Sequence, residues 1–138
     1  MPVSTRLPVR SPSRGGAVPI VEHQAVADVL ADAKTRIEAT RLLSWRALDA
    51  ALSGDPHGLE WALHAKVFGS EAAVEVINDL IRVVGVSAYD NDFPLKRYLD
   101  EALAYPVIEG SNLGVRRRQM QALLTAGGYN PLAASGMA

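Results

Sequence analysis

The chain predicts an all-α fold, an antiparallel helical bundle of two long helices plus two shorter ones. Three observations lead there. Apolar residues recur at three- and four-residue steps along two long stretches, a compact Gly-Asp-Pro stop separates those stretches, and no strand-like alternation of useful length is present.

The first stretch runs from about Val21 to Leu52. Val26, Leu30, Ala33, Ile37, Leu48 and Leu52 form its apolar stripe, with Asp28, Asp32, Lys34, Arg36, Glu38 and Asp49 filling the other positions. Ser53-Gly54-Asp55-Pro56 ends it, because glycine suits a helix C-terminus and proline cannot continue one. The second stretch, about Leu59 to Val84, carries Leu63, Val67, Val74, Ile77, Ile81 and Val84 opposite Glu60, Glu71, Glu75 and Asp79. At 1.5 Å per residue the two helices would extend roughly 48 and 39 Å. So tight a connection sets them antiparallel. Trp45 and Trp61 fall near the hairpin turn and read as core packing, with a subunit interface as the alternative.

Gly85 through Asp92 breaks the helical period, and Pro94 opens a short helix that reaches about Tyr105 and stops at Pro106. A last helix is expected from about Ser111 to Ala126, with Ser111 or Asn112 as its N-cap. Residues 1–17 contain Arg6, Arg10 and Arg14 and no acid. Such a leader has the composition of a transit peptide, but Pro2, Pro8 and Pro12 oppose the amphipathic helix a transit peptide forms, so a disordered tail is expected. Residues 127–138 read as a flexible C-terminal tail, which leaves 18–126 as the domain.

The 138 residues are enough for one domain that buries roughly two-thirds of its unfolded surface. With 21% charged residues and a formal net charge of −1, total charge recruits neither nucleic acid nor an anionic membrane. The absence of cysteine excludes disulfides and thiolate chemistry. No apolar run approaches the ~20 residues of a membrane-spanning helix, so the cytoplasm is the expected location. His23, His57 and His64 lack ligand spacing, and no metal is expected. Arg116, Arg117 and Arg118 fan over roughly 200° of a helix and make no single basic patch.

The residue that carries chemistry is Glu109, in Pro106-Val107-Ile108-Glu109-Gly110-Ser111-Asn112. It stands at or just before a helix N-terminus, where the helix field favours an anion. The apolar residues before it are expected to wall off water and tune the carboxylate as a base. The plain alternative is a helix-start acid without chemistry.

Several stretches resemble the C-terminal domain of acyl-CoA dehydrogenases. They are Pro19-Ile20-Val21-Glu22-His23-Gln24-Ala25-Val26, Ile37-Glu38-Ala39-Thr40-Arg41, Ala65-Lys66-Val67-Phe68, Tyr89-Asp90-Asn91-Asp92-Phe93-Pro94-Leu95 and Glu109-Gly110-Ser111. They fall in order over about residues 16 to 126. The resemblance implies that Glu109 removes the α-proton of an acyl thioester while a hydride leaves the β-carbon for FAD. It implies cofactor contacts from Gly110, from Ser111 on the family's threonine position, and from Arg82 and Gly85. Some positions depart from the family pattern: Arg82 replaces a glutamine, Val86 and Ala88 replace glycines, and Asp100-Glu101 stands at an Arg-Asp pair.

The residues before this region are too few for the family's N-terminal helical domain, β-domain and first C-terminal helix. The expectation is therefore activity only together with a partner subunit. An uncovered apolar face should drive homo-oligomerisation or pairing with a larger acyl-CoA dehydrogenase subunit. Two other functions compete: a non-catalytic oligomerisation or regulatory module, and a cofactorless isomerase or cyclase that uses Glu109 for proton transfer.

Overall fold

A computed structural model of the chain describes residues 19–135, so the expected N-terminal tail lies outside the described residues. Four α-helices and no sheet make up the described fold: α1 (Gln24–Ser53), α2 (Gly58–Val84), α3 (Leu95–Ala104) and α4 (Arg117–Leu124). The all-α prediction holds, and the ends of α1, α2 and α3 fall within a few residues of those read from the sequence.

Gly54 ends α1 in the left-handed region at φ 71°, with its N–H donating to the carbonyl of Ala50. Asp55 then takes the His57 N–H at 2.8 Å and an Arg46 Nη2–H at 2.9 Å, which fixes the turn. The hydrogen bond from the His57 backbone, followed by the Arg46 guanidinium, holds the Asp55 carboxyl below its usual range. Small residues let α1 and α2 approach. Gly58 lies against the Ala50 backbone, and a Cβ on Gly69 would stand 2.8 Å from Cγ2 of Thr40.

The buried stripe of α2 is broader than its sequence period. Leu63, Ala72, Val76 and Ile81 are buried, and Ile81 packs with Ala88 and Leu95 in a small core completed by Phe93 and Leu99. Glu60, placed on the polar face by sequence, is only 7% exposed. Its Oε1 accepts the Tyr129 hydroxyl at 2.8 Å, while His57 Nδ1 and His64 Nε2 each stand 3.8 Å from the carboxylate. The Trp61 indole donates to the Ala134 carbonyl at 3.2 Å. Residues 127–135, whose composition reads as a loose end, therefore return to the start of α2.

Two apolar surfaces stay open. Between α1, α2 and α3 lies a groove of about 420 Å³, lined by Ile37, Thr40, Ala73, Val76, Leu80 and Tyr98 among others. Along the second half of α1, Leu42, Trp45, Leu48 and Leu52 are exposed. Trp45 is thus no core residue. Trp61 is half-buried beneath the Arg46 guanidinium, which lies 5.2 Å from its ring centroid.

Candidate active site

After α3 the chain runs through consecutive turns to Gly110 and enters one π-helical turn, Asn112–Arg116, before α4 begins. The expected continuous helix from Ser111 is therefore split. Ser111 holds the N-cap position without a side-chain capping bond, and its carbonyl accepts the N–H groups of both Val115 (2.8 Å) and Arg116 (3.1 Å). The second of these bonds spans five residues, which widens the helix entry.

Glu109 precedes that entry in the left-handed region at φ 53°, and no other described non-glycine residue has a positive φ. Gly110 follows at φ 89°. A glutamate held in that region carries backbone strain, and such strain collects where a side chain must be aimed. Arg116 fastens the turn. Its Nη2–H donates to the Glu109 carbonyl, its Nη1–H donates to Gln119 Oε1 at 3.0 Å, and its guanidinium lies over Gly110. A Cβ on Gly110 would meet Cζ, Nε and Nη2 of Arg116 at 3.3 Å.

The expectation that Val107 and Ile108 wall Glu109 off from water is corrected. Both are exposed, as is Glu109 itself. Consecutive turns point these side chains outward, so the described residues leave the carboxylate open. The groove between α1, α2 and α3 does not include Glu109.

Asn112 is the residue that sequence reasoning missed. Read as a possible cap, it is instead 1% exposed. Its amide Nδ2 donates to Ser70 Oγ at 2.8 Å and to Glu71 Oε1 at 3.2 Å, joining the turn to the middle of α2. The Arg117 guanidinium also donates to Glu71, at 2.8 Å to Oε1 and 3.1 Å to Oε2. The only available signal was an uncharged polar residue next to a carboxylate motif, and that is common at exposed caps as well.

Arg82 and Gly85 are elsewhere. Arg82 is exposed and pairs with Asp79 at 3.5 Å. Gly85 leaves α2 at φ 73° with open space where a Cβ would be. They follow Ser70 along α2 by 12 and 15 residues, or roughly 18–22 Å of helix rise. One copy of the chain therefore offers two separate sets of predicted site residues. Glu109, Gly110 and Ser111 form one set, and Arg82 and Gly85 form the other. Among the described residues no cluster of three or more potential metal ligands occurs, and no helix is long and apolar enough to cross a membrane.

Residues 9–124 match the family described as acyl-CoA dehydrogenase, C-terminal domain. The chain is 39% identical over 132 residues to a nitroalkane oxidase of Fusarium oxysporum, covering 91% of this chain and 29% of that protein. It is 35% identical over 94 residues to a cyclohexane-1-carbonyl-CoA dehydrogenase of Geobacter metallireducens, covering 68% of this chain and 24% of that protein. Among solved structures, a flavoprotein nitroalkane oxidase superposes with a TM-score of 0.87 at 39% identity, covering 94% of this chain and 31% of that one. In that oxidase the roles in the reaction of an arginine and an aspartate, numbered seven positions apart, have been analysed. The chain spans less than a third of the length of each of these proteins.

Proposed function

This chain belongs to the acyl-CoA dehydrogenase family, and on that premise we propose that it is the helical part of an enzyme that dehydrogenates an acyl thioester across its α and β carbons. The observation that carries the reading is the Glu109–Gly110–Ser111 turn. An exposed carboxylate on a fastened backbone has the form of a base awaiting a substrate. Glu109 takes the proton as the α C–H bond breaks, and the electron pair left behind forms the double bond as hydride leaves the β-carbon. The thioester α-proton is only weakly acidic, so its removal needs a base held in place and water excluded by a covering surface.

FAD, when bound, supplies the hydride acceptor. The residues fit two of its edges and not an enclosure. Gly110 and Ser111 would line it beside Glu109, and Arg82 and Gly85 would meet it at a different site. The roughly 18–22 Å of helix rise that carries Arg82 and Gly85 away from Ser70, where Asn112 docks, supports a cofactor shared between copies of the chain, or with a larger subunit. The open groove and the Leu42–Leu52 ridge supply apolar area for such contacts.

A second reading, oxidation of a nitroalkane, is favoured by the 39% identity to the Fusarium enzyme and by the seven-residue interval that Glu109 and Arg116 share with the oxidase pair. Both substrates lose a proton from a carbon acid. The acid here is a glutamate followed by glycine, as in the dehydrogenase motif, with Ser111 keeping a hydroxyl at the motif's threonine position, and this places the thioester first. The test is reduction of bound flavin under anaerobic conditions by an acyl-CoA panel and by neutral nitroalkanes, in wild type and in Glu109→Gln. Bleaching by acyl-CoA that is lost in Glu109→Gln supports the first reading. Bleaching by nitroalkanes alone selects the second, and a protein that stays colourless with FAD and candidate partner subunits removes both.

A further inference from the structure

Lys66 lies on α2, and its ammonium donates to the carbonyl of Tyr105, the residue that closes α3. One helical turn later, Ser70 Oγ accepts from Asn112 Nδ2 at 2.8 Å and itself donates to the Lys66 carbonyl at 2.6 Å. The Asn112 backbone N–H reaches back to the Pro106 carbonyl at 2.9 Å. Residues 105 and 112, the two ends of the loop that carries Glu109, are thus tied to a single turn of α2. We propose that Lys66 and Asn112 are positioning residues, clamping this loop so that the carboxylate of Glu109 keeps one direction while its surroundings change on substrate entry. The proposal rests on the reading of Glu109 as the base.

Elementary energetics explains why polar groups are used here. An apolar residue at position 112 would bury equally well but would not fix the loop's register against α2. An amide with two designated acceptors does fix it, because a displaced Asn112 would strand a buried donor. Its Oδ1 is buried without a partner among the described residues, so the two donor bonds alone set its orientation. A carboxylate in its place would lose those donors and face Glu71. Lys66 adds a cation at the C-terminal end of α3, where orphan carbonyls and the helix dipole favour it. With both anchors in place, the strain at Glu109 is held by neighbours rather than relaxed.

Misplacing a reacting group by about 1 Å lowers rates on the order of 100-fold. In the flavin-loaded assembly, Asn112→Ala and Lys66→Met should each lower kcat about 10- to 100-fold with KM within about twofold. The isotope effect with α-deuterated substrate should rise, and Lys66→Arg should recover most of the rate. In the chain alone, amide hydrogen exchange should quicken over residues 105–112 while the middle of α1 stays protected. Unchanged exchange in both variants, or unchanged kcat where Glu109→Gln is inactive, overturns the clamp. Turnover that survives Glu109→Gln overturns the base reading and the clamp with it, and that outcome shows itself in the Glu109 variant alone.

Discussion

Arg116 lies over Gly110 and donates to the carbonyl of Glu109, so the acid and the arginine seven residues later are joined through backbone rather than as an ion pair. The bond holds the peptide that aims the Glu109 side chain without engaging its carboxylate oxygens.

A strained glutamate should become less costly when replaced by a residue that tolerates the left-handed region. Asparagine does so more readily than glutamate. Glu109→Asn is expected to raise stability by about 0.5–1 kcal/mol and the melting midpoint by roughly 2–4 °C, while abolishing turnover. Calorimetry checks the first half. A midpoint that falls would show that Glu109 is better accommodated than its φ of 53° implies.

The approach of α1 to α2 depends on Gly69. A methyl added there would stand 2.8 Å from Cγ2 of Thr40, so Gly69→Ala should destabilise by about 1–3 kcal/mol despite alanine's better helix propensity. Thr40→Ser removes that methyl and keeps a hydroxyl able to reach the Arg36 carbonyl, as Thr40 Oγ1 does at 2.8 Å. The double variant should regain most of the loss in a chemical denaturation series, and strict additivity of the two changes would refute the contact.

Acid should loosen the hairpin turn. The Asp55 carboxyl is held below its usual range by the His57 N–H and then by Arg46, and that of Glu38 by Lys34 and then Arg41. Depressed carboxyls stabilise the fold above their unfolded pKa, near 4, and lose that contribution as pH falls through the lower folded value. Melting midpoints measured from pH 5 down to pH 2 should drop, and Asp55→Asn should start lower at pH 5 but fall less steeply.

Alkali should act at the other end. Hydrogen bonding to Glu60 raises the pKa of Tyr129, so the bond stabilises the fold below tyrosine's usual pKa of about 10 and is lost as pH climbs through the raised value. Tyr129→Phe should speed amide exchange in residues 127–135 at neutral pH and remove the alkaline part of the stability loss. Exchange identical to wild type would show that Trp61 alone retains this segment.

Much of this architecture is written in local signals. Gly54 and Pro56 stop α1 where expected, and Pro94 caps the start of α3, because a left-handed residue and a fixed φ act within a few positions. The Glu109–Gly110–Ser111 motif was legible as a motif, but its surroundings were not. Whether Val107 and Ile108 cover the acid depends on how the turns after α3 project, which no sequence period encodes. The π turn and the burial of Asn112 depend on Ser70 and Glu71, some forty residues earlier. Glu60 deceived for the same reason, since its partner Tyr129 lies 69 residues away.

Of the two tryptophans, Trp45 is 64% exposed on the bare ridge of α1, whereas Trp61 is half-buried beneath a cation. Their fluorescence should therefore separate into a red-lying, water-exposed component and a shielded one. Any companion that seats itself on the ridge will shift the first component toward the blue, so the chain carries its own optical gauge of assembly.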